Sequence, residues 1–82
     1  MHELGIASNV LEIIGKAMES RPGARLRRAT VRVGDFSGVD PESLQFSLEV
    51  LAKDAGFEGA VFLLERSPDD ALDLTDLELE VP

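Results

Sequence analysis

The sequence predicts an α+β fold, two helices packed on a three-stranded mixed β-sheet, in the order α-β-α-β-β. Three observations predict it. Apolar residues recur at helical spacing from Leu4 to Glu19 and again across Leu44, Leu48 and Leu51. They alternate with polar ones around Ala29, Val31 and Val33, and two later stretches, one starting at Ala60 and one at Leu72, also read as strands. Between the first strand and the second helical period, Asp40-Pro41 reads as an N-cap followed by a first helical residue, because an aspartate oxygen can accept an orphan N–H and proline has none to lose.

The first helix takes its stripe from Leu4, Ala7, Leu11, Ile14 and Met18, widened by Ile6, Val10, Ile13 and Ala17. Asn9, Glu12, Lys16 and Glu19 form the opposite face, with Glu12 and Lys16 four apart. Pro22-Gly23 stops it. In the first strand Leu26 has the wrong parity to join Ala29, Val31 and Val33, which predicts an irregular start or a bulge near Arg27. Gly34 to Val39 is a turn, tightest at Ser37-Gly38. The second helix carries Phe46, Val50 and Ala52 around its leucines and should end before Gly56. Ala60, Phe62 and Leu64 begin a second strand whose alternate residues, Val61 and Leu63, are apolar too. A strand apolar on both faces in so small a protein needs a cover on its second face. A subunit interface, and hence a homodimer, is the first candidate, and a patch used by another partner the second. Arg66 to Asp70 is a short polar connection. Parity slips between Leu74 and Leu77, so a bulge is expected near Thr75-Asp76, returning the leucines to one face. The connections predict a crossover through the second helix and then a hairpin.

A chain of 82 residues has room for one domain, and one of that size buries only about 60% of the surface its unfolded form exposes. The core must be aliphatic, because there are four Phe and neither Trp nor Tyr. Without cysteine there is no disulfide and no thiolate metal site, which fits a reducing cytosol. No apolar run has the length of a membrane span, and the start lacks the pattern of a signal peptide, so a cytoplasmic location is expected. The net charge of -8 argues against nucleic acid as a partner. Five of eight basic residues, Arg21, Arg25, Arg27, Arg28 and Arg32, crowd one segment, while from Glu65 onward seven acids face Arg66 alone. Either a basic and an acidic strand lie near each other in one sheet, or a charged partner docks there.

The chain holds no glycine-rich phosphate loop and no nucleophile beside a histidine base, and its carboxylates alternate with leucines as a solvated strand surface requires. No enzyme chemistry is expected. What stands out is the first tripeptide, Met1-His2-Glu3. His2 is the single imidazole and adjoins the α-amine. Amine, imidazole and the intervening amide can close on one metal ion in adjacent chelate rings, and such near-planar nitrogen sets suit Ni(II) and Cu(II). A residue as large as His2 in second place leads one to expect Met1 to be kept. An exposed, incidental imidazole is the alternative.

The run MHELGIASNVLEII, then VRVGDFSGVDPESLQFSLEVL and the closing LDLTDLELEV, resemble the HypA family of nickel-incorporation proteins over nearly the whole chain. The resemblance implies a nickel-binding accessory protein, a metallochaperone for maturation of a nickel enzyme, [NiFe]-hydrogenase foremost. It implies Ni2+ bound by Met1, His2 and Glu3, with Asp40 either a further ligand or only a helix cap, the cap being preferred. The partners it implies are a HypB-like GTPase and a hydrogenase large subunit. Family members carry a zinc module of two CxxC pairs between the second and last strands. Here residues 67–70 take that place and no cysteine is present, so the expectation is one nickel-binding domain over residues 1–82 without zinc. The competing reading is a protein-interaction module that kept the fold and lost metal delivery, with Val61, Leu63 and the first helix as its surface.

Overall fold

The central strand of the sheet is the alternating stretch around Ala29, Val31 and Val33. In the computed structural model, which describes residues 2–82 with His2 by its backbone alone, the elements are α1 (His2–Met18), β1 (Arg25–Gly34), α2 (Pro41–Asp54), β2 (Val61–Ser67) and β3 (Leu72–Glu80). The predicted order holds. α1 starts two residues before the apolar period does.

The strand order is β2-β1-β3, with β2 parallel and β3 antiparallel to β1. The crossover through α2 is therefore present, and the hairpin is not. β3 lies on the far side of β1, so the link after β2 must pass over the end of β1. The backbone there shows why this holds. Gly34 N donates to Ala71 O at 2.6 Å, Asp35 N to Ser67 O at 2.7 Å and Phe36 N to Asp69 O at 2.9 Å. Asp69 Oδ1 accepts from Ser67 Oγ at 2.6 Å and from Ala71 N at 3.1 Å, which folds the link into a tight arch. These two donors hold the Asp69 carboxyl below its ordinary range, the Ser67 hydroxyl foremost. The arch lies so close to β1 that a Cβ on Gly34 would collide with Asp69 O and approach Ala71 N to 2.6 Å.

Both expected bulges are present. Pairing of β1 with β3 shifts between Leu26 and Arg28, which turns Leu26 into the core, and between Thr30 and Val31, where Thr75 is the extra residue. On the inner face Ala29 sits between Phe62 and Leu77, and Val31 between Leu64 and Leu74. Against these rows pack Ala7, Val10, Leu11 and Ile14 of α1 and Leu44, Leu48 and Ala52 of α2. A small Ala29 opposite bulky neighbours leaves room for the helices to approach. The periodicity placed Phe46 and Val50 with the α2 leucines, yet both are exposed, because α2 has only one side against the sheet and α1. Ile13 is exposed for the same reason.

The uneven charge resolves into cross-strand pairs on the outer face. Arg28 reaches Glu78 at 3.0 Å and Arg32 reaches Asp73 at 3.0 Å, each pair in direct register. The Asp73 carboxylate holds the Arg32 guanidinium still more firmly protonated. On this same face Val61 and Leu63 are 57% and 43% exposed, so nothing within one chain covers them. No helix among the described residues is long and apolar enough to cross a membrane.

Candidate functional site

Beyond Gly34, the arch holds Asp35 and Phe36, and Arg66 grips Asp35 with both Nε and Nη2, at 2.9 and 2.6 Å. The turn then runs through Gly38, whose φ of 80° is open to glycine at little cost, and Ser37 Oγ accepts from Val39 N at 3.2 Å. Asp40 follows in extended conformation, φ -82° and ψ 113°. It is the N-cap of α2: Oδ1 accepts from Glu42 N at 3.1 Å and Oδ2 from Ser43 Oγ at 3.2 Å, with Pro41 opening the helix. Both oxygens are engaged, as the cap reading of Asp40 requires.

Asp40 also ties the two helix starts together. Its backbone N–H donates to Glu3 Oε2 at 3.0 Å, across 37 residues of sequence. That bond is the main reason the Glu3 carboxyl titrates below its usual range, with its own backbone N–H adding to it. Glu3 lies in the first turn of α1, where a carboxylate also offsets the positive end of the helix dipole. Glu3, Asp40 and Glu42 line one shallow hollow between the helix starts, together with Leu4, Ser43 and Phe46. Glu42 stands in the first turn of α2, where its carboxylate offsets the positive end of that helix.

Of the residues the sequence singles out as metal ligands, Glu3 and Asp40 are brought together, through a side chain on one and a backbone amide on the other. Met1 and the side chain of His2 lie outside the described residues. Among the described residues no group of three His, Cys, Asp or Glu side chains converges. Val61 and Leu63 are on the opposite face of the sheet from the helices, Val61 at the other end of the parallel strands. Sequence reasoning missed Ser43 as a partner of Asp40, although serine three residues after an N-cap aspartate is a local signal. It could not have found the Glu3 to Asp40 bond, which has no local signature.

The fold and this hollow define a class: a small α+β domain with both helices on one face of a three-stranded mixed sheet and an acidic hollow where the helices begin. Residues 1–72 match the family described as hydrogenase/urease nickel incorporation, metallochaperone, HypA. The chain is 42% identical over 65 residues to the hydrogenase maturation factor HypA of Methanopyrus kandleri, covering 79% of this chain and 46% of that protein. It is 40% identical over 68 residues to that of Geobacter metallireducens, covering 83% and 59%, and 31% identical over 68 residues to that of Lawsonia intracellularis, covering 83% and 58%. The chain belongs to the HypA family. It spans about half the length of these curated relatives. No solved structure matches it.

Proposed function

We propose that this chain is a nickel-binding accessory protein, a cytoplasmic metallochaperone that carries Ni2+ as cargo for maturation of a nickel enzyme, [NiFe]-hydrogenase foremost, without catalysis of its own. The observation that carries the reading is the coincidence of the family match over residues 1–72 with the acidic hollow beside the start of α1. In this reading the Met1 amine and the His2 imidazole are the nitrogen donors and Glu3 completes the metal end. Asp40 contributes as the cap that holds α2 against Glu3. The partners would be a HypB-like GTPase and a hydrogenase large subunit. The nickel domain occupies residues 1–82, and the arch at residues 67–71 stands where family members carry zinc. No cysteine is available to bind zinc there.

Both nitrogen donors must lose protons to bind, the amine from a pKa of about 7.7–8.0 and the imidazole from about 6.5. Nickel affinity therefore falls steeply from about pH 8 to about pH 6. Calorimetric titration of untagged protein with Ni(II), beside His2→Ala and a form extended ahead of Met1, tests the ligand set. Tight binding by the native form alone is expected. Equal, weak binding by all three would leave the second reading, an interaction module, which the exposure of Val61 and Leu63 favours. Sedimentation tests separately whether a second subunit covers Val61 and Leu63; a monomer would leave that patch to a different partner.

A further inference from the structure

Single exposed apolar residues are ordinary on a protein surface. Two that line one hollow between the helix starts, with a third one turn further along α2, are less so. Leu4 is 53% exposed, Phe46 68% and Val50 47%. Phe46 forms a ridge between two hollows, one shared with Glu3, Leu4 and Asp40, the other with Glu49 and Leu64, and Glu42 lines both. Val50 follows one helical turn after Phe46 on the outward side of α2. The packing of the domain does not use these side chains.

The charge beside Phe46 is acidic, with Lys53 one turn beyond Glu49 as the cation of α2. Arg28 and Arg32 of β1 pair with Glu78 and Asp73 on the outer sheet face, and Arg66 of β2 pairs with Asp35 in the arch. Neither Glu42 nor Glu49 takes part in an ion pair among the described residues. Glu42 and Glu49 thus stand beside an exposed aromatic ridge. An apolar ridge with a carboxylate rim is complementary to an apolar side chain flanked by lysine or arginine.

We propose that Leu4, Phe46 and Val50 are the seat of a protein partner that presents a basic amphipathic helix, its apolar side packed against Phe46 and its cations facing Glu42 and Glu49. The delivery reading enters in one respect, that a recipient of the ion must approach the start of α1, which this face borders. Val61, on the outer sheet face, stands at the opposite end of the parallel strands. The seat itself requires no metal.

The probe is a synthetic amphipathic helix of leucines flanked by lysines, titrated into the untagged, metal-free full chain and followed by amide chemical shifts. Shifts centred on residues 4, 46 and 50 are expected. Phe46→Ser should weaken binding roughly tenfold, with an unchanged amide spectrum elsewhere because Phe46 is exposed. Glu49→Lys should weaken it as well, while Asp76→Lys, an equal charge change on β3, should not. Equal losses from the two lysine variants would reduce the effect to net charge and overturn the proposal. So would shifts centred on Val61 and Leu63, equal binding of the same peptide with glutamates for lysines, or no binding at all. Shifts that depend on protein concentration without peptide, and vanish in Phe46→Ser, would give the seat to a second copy and overturn it too. Peptide binding retained in His2→Ala, with nickel binding lost, would separate this seat from the metal reading. Nickel bound tightly with no peptide docked would reject the seat and spare the metal reading.

Discussion

Gly34→Ala is the smallest change that tests how the chain passes from β2 to β3. The added Cβ would collide with Asp69 O and stand 2.6 Å from Ala71 N, both backbone atoms with no side chain to swing aside. The arch would have to lift, and the three bonds that seat it, Gly34 to Ala71, Asp35 to Ser67 and Phe36 to Asp69, would lengthen or break. At about 1 kcal/mol net for each backbone hydrogen bond, the cost is about 3 kcal/mol. A domain of this size has a total stability of roughly 4–12 kcal/mol, so the loss is a large share of it. For domains of 60–100 residues each kcal/mol moves Tm by roughly 4–8 °C, which gives a fall of roughly 12–24 °C. Thermal unfolding followed by circular dichroism measures this, and hydrogen exchange at residues 34–36 should quicken in parallel. Gly15→Ala is the paired control. Its Cβ would meet nothing within 4 Å, so the helix propensity gain of about 1 kcal/mol should raise Tm. A Gly34→Ala melting point within about 5 °C of the native one would show that the link does not cross β1 in this way.

Asp40→Ala should cost about 1 kcal/mol through loss of the α2 cap, with Asp40→Asn close to native, read from thermal melts. Arg32→Ala should lower the melting point only slightly, and less still at high salt, because its bond to Asp73 is exposed. For Glu3 the folded-state pKa is depressed below the usual 4.5, so its contribution is complete above that value and is lost as pH falls through the lower folded value. A carboxyl-carbon NMR titration should place its midpoint below 4.5, and Asp40→Pro, which removes the N–H, should move it upward.

How much of this could be read in the letters depends on the range over which each feature is decided. Leu26 out of phase with Ala29, and Leu77 out of phase with Leu74, marked both bulges, because side-chain alternation has a strict period and any slip must be absorbed by an extra residue. Asp40-Pro41 marked the start of α2 through purely local chemistry. The neighbour of β3 was not legible. Alternation tells which face a residue takes and not which strand lies beside it, and a short polar link serves a hairpin as well as an arch. The discriminating signal was Gly34 at the end of Val31-Arg32-Val33, a glycine in a strand that marks close approach of another backbone. At the site, Met1, His2 and Glu3 stood out by residue type, whereas the bond from Asp40 N to Glu3 joins segments 37 residues apart and required the fold.

The arch and the start of α1 belong to one end of the molecule, and the reason is continuous in the chain. Residues 67–71 are bonded to residues 34–36, the turn from Gly34 leads directly to Asp40, and Asp40 N is held by Glu3. The parallel β1 and β2 both finish at this end, which is also where ligands gather in open α/β sheets, since the turns leaving parallel strands meet there. A segment inserted between β2 and β3 would therefore emerge beside the acidic hollow and not at the far end of the sheet. It would also have to replace the bonds that the arch makes to Gly34, Asp35 and Phe36, so its seating and the placement of Asp40 are coupled through the same few backbone groups. In this chain the arch makes those bonds itself, with Asp69 capping its own link through Ser67 and Ala71. The placement of Asp40 against Glu3 is thus coupled to the arch through these hydrogen bonds.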